Sequence, residues 1–370
     1  MKNPINILIL IIALFSALSA CQPEPPKPSP PQPAFYHWQT HLQLTPPERQ
    51  LLDSLNVKKL YVKFFDVDWD EKTGAPLPQA EVQIDTHLLY GLEIVPAIFI
   101  TNRTFKNISR NKPPPAGRQV KTLADNILQK INKLSYIAPK EIQFDCDWTP
   151  STREKYFGFL HYFKSKLDGS ATTSVAATIR LHQLKYPKKT GVPPVDRGML
   201  MFYNMGELDE WETDNSILDL STADQYLDSP QSAVRSPQYP YLAGRQAIPL
   251  DIALPIFRWG VVFRNNELAY LINDLGAEDL RDTAYFYKIA ANRYGLRKST
   301  YLHGYYLYKG DRLRLEGTSP GLLKEAAALL GNRFTKLSKF SKPTVAFYHL
   351  DTTALKVFNY EDFEKILEGF

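Results

Sequence analysis

Two aspartates two residues apart, Asp145 and Asp147, close the run Glu141-Ile142-Gln143-Phe144-Asp145-Cys146-Asp147. In an extended strand such residues share a face, so both carboxyls point together. Cys146 between them turns the other way, toward the helices, as a small buried apolar residue. Like charges held that close raise one pKa, which keeps a proton for acid catalysis. A second acidic group stands in Asp66-Val67-Asp68-Trp69-Asp70. Asp66 and Asp70 read as hydrogen-bonded structural carboxylates. Asp68 joins Asp145, Asp147 and Glu207, from Met205-Gly206-Glu207, as a catalytic candidate. In this reading Asp147 stabilises charge or assists a nucleophile, and Glu207 or Asp68 donates the proton. A solvated loop glutamate is the plain alternative for Glu207.

Five tryptophans, Trp38, Trp69, Trp148, Trp211 and Trp259, each fall at or just beyond the end of a predicted strand. Flat aromatic faces stack on the apolar C–H faces of sugar rings, so a glycan cleft is the natural expectation. The substrate-binding set is Trp38, Trp69, Trp148, Tyr203, Asn204, Arg258, Trp259 and Tyr348, with Arg180 and His182 as further clamps. The basic loop Lys185-Tyr186-Pro187-Lys188-Lys189, with Arg197, suits an anionic polymer. His37 beside Trp38 reads as a satisfied core histidine. No His, Cys or Asp cluster has zinc-ligand spacing, so neither a metal nor another cofactor is expected.

The elements that must hold these residues alternate strand and helix. Eight strands are predicted at 34–40, 58–68, 93–101, 141–147, 172–179, 198–204, 250–258 and 344–350. Thr45-Pro46-Pro47-Glu48 is a capping box with proline in the first turn, opening a helix that carries Leu51, Leu52 and Leu55. Helical spacing of Val120, Leu123, Ile127, Ile131 and Leu134 marks 117–135. Ser151 to Glu154 reads as a second capping box, and Ser319-Pro320 opens a helix through Leu329. No long helix is predicted between strands two and three or five and six. The fold class is therefore α/β, an irregular (β/α)8 TIM-type barrel with chemistry at the C-terminal strand ends. No glycine-rich phosphate fingerprint follows an early strand, which disfavours a doubly wound nucleotide-binding sheet. A small α+β insertion is expected over about 261–340, with hairpins turning at Asn265-Asn266 and at Gly310-Asp311.

The run Phe144-Asp145-Cys146-Asp147-Trp148-Thr149 resembles the D-x-x-D-x-D-x-E signature of glycoside hydrolase family 18, the chitinase-like barrels. Met201-Phe202-Tyr203-Asn204 is similar to its M-x-Y-D/N motif, Leu254-Pro255-Ile256-Phe257 to its L-P-F-Y, and Val345 to Asp351 to its eighth strand, where Tyr348 stands at the usual tryptophan. The Trp38-Gln39 start, the D-x-D of strand four and Leu254-Pro255 with Trp259-Gly260 also resemble an uncharacterised bacterial barrel family. The family resemblance implies a sugar-binding barrel mouth. It also puts Ile142 at the place of the first aspartate and Thr149 at the place of the proton-donating glutamate. An alcohol is too weak an acid for that role, and Thr149-Pro150 suits a helix start. Three readings follow: a glycoside hydrolase with a relocated acid, a non-catalytic glycan-binding protein, and an envelope scaffold that grips a protein partner. The sequence alone leaves turnover open.

Lys2 followed by an apolar stretch from Ile5 to Ala20 has the layout of a secretory signal. Leu18-Ser19-Ala20-Cys21 resembles the bacterial lipobox, which implies cleavage before Cys21 and a membrane anchor through its lipid. Residues 1–20 are thus the expected signal peptide, 21–33 the lipidated cysteine with a proline-rich tether, and 34–370 the barrel. The expected place is the bacterial cell envelope, at the outer membrane. The 370 residues carry 44 Lys and Arg against 39 Asp and Glu, a net charge of +5 with no basic block, so nucleic acid is not an expected partner. Two cysteines exclude a disulfide framework. A monomer is expected.

Overall fold

The structure, a computed structural model, describes residues 30–85, 89, 91–108, 116–167, 173–227, 248–334 and 343–370. The signal, Cys21 and most of the tether lie outside the described residues. Among the described residues no helix is long and apolar enough to cross a membrane.

All eight predicted strands form, as β1 (Gln32–His37), β2 (Lys59–Asp70), β3 (Glu93–Ile100), β4 (Glu141–Asp145), β5 (Ser174–Arg180), β6 (Arg197–Met201), β7 (Leu250–Pro255) and β8 (Thr344–Tyr348). They pair in parallel in chain order, and β1 closes the ring by pairing with both β8 and β2. β1 begins at Gln32, inside the stretch expected as tether. Strand β2 outruns the barrel, and its far end pairs antiparallel with Ala75–Gln79 in place of a crossover helix.

The sequence of β4 explains how the barrel fills. Its odd positions Glu141, Gln143 and Asp145 are polar and buried, and its even positions Ile142 and Phe144 are apolar and buried. Phe144 turns outward onto Phe159 and Phe163 of the following helix, with ring centroids 5.0 and 4.8 Å away. The odd positions share the opposite face. There Lys59 Nζ stands 2.8 Å from Glu141, the Tyr61 hydroxyl donates to Glu141 at 3.2 Å, and the Tyr36 hydroxyl donates to Gln143 at 2.7 Å. At the start of β6, Arg197 grips Asp251 of β7 through two bonds, at 2.8 and 2.6 Å.

The helices follow their start signals, with one difference. Thr45 and Glu48 form the expected reciprocal cap of α1 (Pro46–Ser54). α2 (Ala116–Leu134) buries Val120, Leu123, Ala124, Ile127 and Ile131. At the start of α3 (Arg153–Leu167) the reciprocal bonds run between Thr149 and Thr152, while Glu154 pairs with Arg153 at 2.7 Å. Only the short helices Leu181–Lys185 and Pro187–Thr190 separate β5 from β6.

After β7 the chain builds a five-stranded antiparallel sheet from Arg258–Arg264, Glu267–Asn273, Phe286–Ala290, Arg293–Leu296 and Arg312–Gly317, over a second small core. Within the expected insertion span, about 261–340, lie this sheet, one short 3-10 turn at Ala277–Leu280 and a 15-residue α-helix. The helix Pro320–Phe334 packs on the C-terminal helix Tyr360–Leu367, where Gly331 and Gly369 allow close approach. The Asn265-Asn266 hairpin forms, both residues at positive φ (53° and 69°). Gly310-Asp311 turns the chain between two sheets and closes no hairpin. The tyrosine-rich hairpin turns instead at His303-Gly304 (φ 48° and 84°), the two-residue arrangement that matches strand twist.

Glu141→Ala leaves Lys59, only 12% exposed, beside Glu93 at 3.9 Å as its remaining carboxylate, and strips the acceptor from Tyr61. We expect a loss of about 3 kcal/mol in unfolding free energy by urea titration. A loss below ~1 kcal/mol would mean that this buried pair is not needed to fill the barrel.

Candidate functional site

Asp147, Arg180, Leu181, His182, Tyr203, Asn204, Met205 and Tyr226 line a cleft of about 260 Å³ beyond the ends of β4, β5 and β6. Arg180, the last residue of β5, organises it. Its Nε donates to Asp147 at 2.6 Å, its Nη2 lies 3.8 Å from Asp145, and its guanidinium stands 5.9 Å from the centre of the Tyr203 ring. Burial works against the charge of Arg180, but Asp145 and Asp147 outweigh it and lift its pKa. Asp145 is 6% exposed and accepts the Thr178 hydroxyl at 2.7 Å. Burial pushes its carboxyl pKa up, Arg180 pulls it down, and the charges of Asp147 and Asp66 push it up again. Asp147 is the accessible member, its side chain about half exposed. Burial lowers the pKa of His182 on the same rim. Asn204 holds a left-handed backbone (φ 58°), which asparagine tolerates. Its N–H donates to Ile217 at 2.7 Å.

An aromatic wall joins this cleft to the ends of β1, β7 and β8. Tyr203 stacks on Tyr348 at 5.3 Å, Tyr348 meets Trp38 at 5.5 Å, and Phe257 touches Tyr203, Tyr348 and Trp259 at 5.2–5.8 Å. Trp38, Tyr348, Phe257 and Trp259 are all half-buried. Trp38, Tyr203, Asn204, Trp259, Tyr348, Asp145 and Asp147 are thus brought to one end of the barrel, along with the clamps Arg180 and His182.

Other candidates are placed elsewhere. Trp148 is 1% exposed, lies against Tyr156 and Phe157, and donates its indole N–H to the Thr190 carbonyl at 2.9 Å. It shares strand parity with Cys146 and turns outward, so it is a core residue and presents no face to a ligand. Trp69 lies on the β2 extension opposite Pro76. Trp211 is sandwiched by the inserted sheet, with Arg312 4.1 Å from its ring centre and Phe263 5.2 Å away. Asp68 is held by Arg103, whose Nε donates at 3.1 Å and whose Nη2 grips the other oxygen, and by the Thr101 hydroxyl at 2.6 Å. The Arg103 bonds hold its pKa below the usual carboxylate range. Glu207 is exposed and is not among the cleft-lining residues. Arg258 pairs with Glu278 of the insertion at 2.5 Å. Arg197, expected near the mouth, stands at the start of its strand and hence at the opposite end of the barrel.

Thr149 serves α3, its carbonyl accepting the N–H groups of Thr152 and Arg153 at 3.0 and 2.9 Å. Phe257, Met205 and Tyr226 were not among the sequence candidates. Phe257 had a signal in the Leu-Pro-Ile-Phe run, and Tyr226 had none, since no element is predicted over the helix Leu220–Leu227 that carries it. Among the described residues no group of His, Cys, Asp or Glu could hold a metal ion.

No family model matches the sequence, and no curated protein matches it. Among solved structures the chain is similar to the spore cortex-lytic enzyme SleL of Bacillus cereus, with 15% identity, 93% of this chain and 76% of that chain covered, and a TM-score of 0.54. It is similar to SleL of Bacillus megaterium QM B1551 at 14% identity, 94% and 76% coverage, and a TM-score of 0.54. A class V chitinase of Pseudomonas fluorescens Pf-5 matches at 13% identity, 92% and 99% coverage, and a TM-score of 0.48. The fold is a closed eight-stranded (β/α)8 barrel like that of the two SleL structures.

His37 departs from the satisfied core histidine expected. It is buried with Nδ1 lacking a hydrogen-bond partner among the described residues, and burial, then His349, lowers its pKa to about 4. The unfolded chain therefore takes up this proton first. Stability present above pH ~6.5 is lost as pH falls toward 4, by about 3 kcal/mol. Urea midpoints of the parent and His37→Gln at pH 7 and pH 4.5 check this. The variant should lose clearly less on acidification, and an equal loss in both proteins contradicts the assignment.

Proposed function

We propose that this chain is an envelope lipoprotein whose barrel mouth binds a glycan without hydrolysing it. The observation that carries the reading is the Arg180 clamp. One guanidinium faces both Asp145 and Asp147, and none of the expected proton donors lines the cleft. Asp68 is kept ionised by Arg103, Glu207 lies outside the lining, and the Thr149 hydroxyl is too weak an acid and sits in a helix start. What remains suits recognition. Half-buried rings of Trp38, Tyr348, Phe257 and Trp259 offer apolar faces, and Asp147, His182 and Asn204 offer polar groups beside them. A sugar ring has both kinds of surface.

The address rests on Leu18-Ser19-Ala20-Cys21 and the seven prolines of residues 22–33. Such a run favours polyproline II at about 3.1 Å per residue, so residues 22–31, ahead of β1, make a semi-rigid spacer of roughly 30 Å. Each buried acyl methylene contributes about 0.8 kcal/mol, so a lipidated Cys21 holds the barrel at a membrane without a protein span.

The competing reading, hydrolysis, finds its support in Asp145, whose carboxyl burial pushes toward the protonated form. The two readings part on turnover. Screened against an oligosaccharide panel, the protein should bind at least one saccharide and release no new reducing ends. Trp38→Ala should weaken that binding about tenfold, or ~1.4 kcal/mol. Reducing ends that appear with the parent and vanish with Asp145→Asn would establish hydrolysis. Metabolic labelling with palmitate checks the anchor: label should be incorporated by the parent and lost in Cys21→Ala.

A further inference from the structure

We propose a second carbohydrate-binding surface on the inserted sheet, where Tyr301, Tyr306 and Tyr308 form an outward strip that takes an anionic polysaccharide. The strip follows from register. Thr300–Leu302 and Tyr305–Leu307 pair antiparallel, with Thr300 opposite Leu307, Tyr301 opposite Tyr306 and Leu302 opposite Tyr305. Directly opposite residues share a face, and neighbours along a strand alternate. Leu307 is fully buried and Leu302 packs on the second core, so that face is inward. Tyr301 and Tyr306 therefore point to solvent, and Tyr308 continues their row.

The outer face of such a hairpin is ordinarily polar. Here Tyr301, Tyr306 and Tyr308 are 72%, 42% and 50% exposed. Their rings contact one another edge to face, Tyr301 to Tyr306 and Tyr306 to Tyr308, both at 4.9 Å. This leaves broad ring surface open, with phenol hydroxyls at its edge, as a sugar chain requires.

The rim supplies the charge preference. Lys298 and Lys309 are exposed at the open end of the hairpin, where the Lys309 N–H donates to the Ser299 hydroxyl; Arg264, 4.2 Å from the centre of the Tyr308 ring, is paired with Asp311 and adds no free charge. The nearby carboxylate Asp311 is already occupied by Arg264 at 3.0 and 2.8 Å and by the Tyr308 N–H at 2.8 Å. Aromatic faces near two exposed lysines fit a polymer of sugar rings that carry carboxylate or sulfate. The choice of a saccharide over single-stranded nucleic acid rests on the glycan reading of the barrel mouth. It also fits the edge-to-face rings, which offer no row of parallel platforms for successive bases.

Affinity electrophoresis of the full-length protein through gels containing polygalacturonate, hyaluronan or heparin tests the surface, with dextran as the neutral control. The parent should be retarded by at least one of the three polyanions and not by dextran. Tyr301→Ser/Tyr306→Ser should weaken retardation at least tenfold, and Lys298→Glu/Lys309→Glu, which leaves the rings untouched, should weaken it at least threefold. The tyrosine variant should keep the parent's binding in the oligosaccharide screen, which reads the barrel mouth, so the two readings stand or fail separately. The proposal is overturned by unchanged retardation in the tyrosine variant, by no retardation of the parent in any polyanion, or by equal retardation in dextran. Tighter binding to single-stranded RNA or to anionic phospholipid vesicles than to every polyanionic glycan overturns it too.

Discussion

A column of polar side chains runs up the inside of this barrel along β4, and the rest of the structure depends on satisfying it. Glu141, Gln143 and Asp145 are all buried, and a buried polar group without a partner costs more than its hydrogen bond returns. Each finds a partner on another strand, although the Gln143 Nε2 has none among the described residues. Lys59 and Tyr61 of β2 serve Glu141, Tyr36 of β1 serves Gln143, and Thr178 with Arg180 of β5 serves Asp145. These bonds cross the barrel between strands 33 to 107 residues apart in sequence, so they set the strands' positions as well as filling the space between them. The same period of two that places the column carries Asp147 into the open cleft.

Arg180 is where packing becomes chemistry. A carboxylate pair at a barrel mouth invites either mutual repulsion, with one proton retained, or an intervening cation. This chain takes the second course, and its consequences reach both partners: Asp147 is exposed yet paired, and Asp145 is buried with its raised pKa opposed by the guanidinium. A site built this way holds fixed charges and aromatic faces side by side, and Thr149 is engaged in the helix start.

The strands were legible because each is a short β-branched and aromatic run between turn and cap signals, and all eight formed. The column was legible too, since Asp145 and Asp147 alternate with Phe144 and Cys146. The misplacement of Trp148 came from setting that rule aside, because its parity matches Cys146 and already turned it toward the helices. Arg197 opens its strand, and the open end of the barrel lies at the other end of every strand. The Arg103 grip on Asp68 joins residues 35 apart across two elements, a contact no local pattern carries. The hairpin turn was sought at Gly310-Asp311, whereas His303-Gly304 supplies the two positive-φ positions. Leu302, Tyr305 and Leu307 on one side and Tyr301 and Tyr306 on the other then leave the aromatic strip outside.

The most direct measurement is a crystal structure of the protein with the tightest-binding oligosaccharide of the panel. The account predicts an uncleaved chain in the cleft, polar groups on Asp147, His182 and Asn204, and a ring face against the Trp38–Tyr348 wall. A cleaved product between Asp145 and Asp147, or a saccharide that leaves the mouth empty, contradicts it.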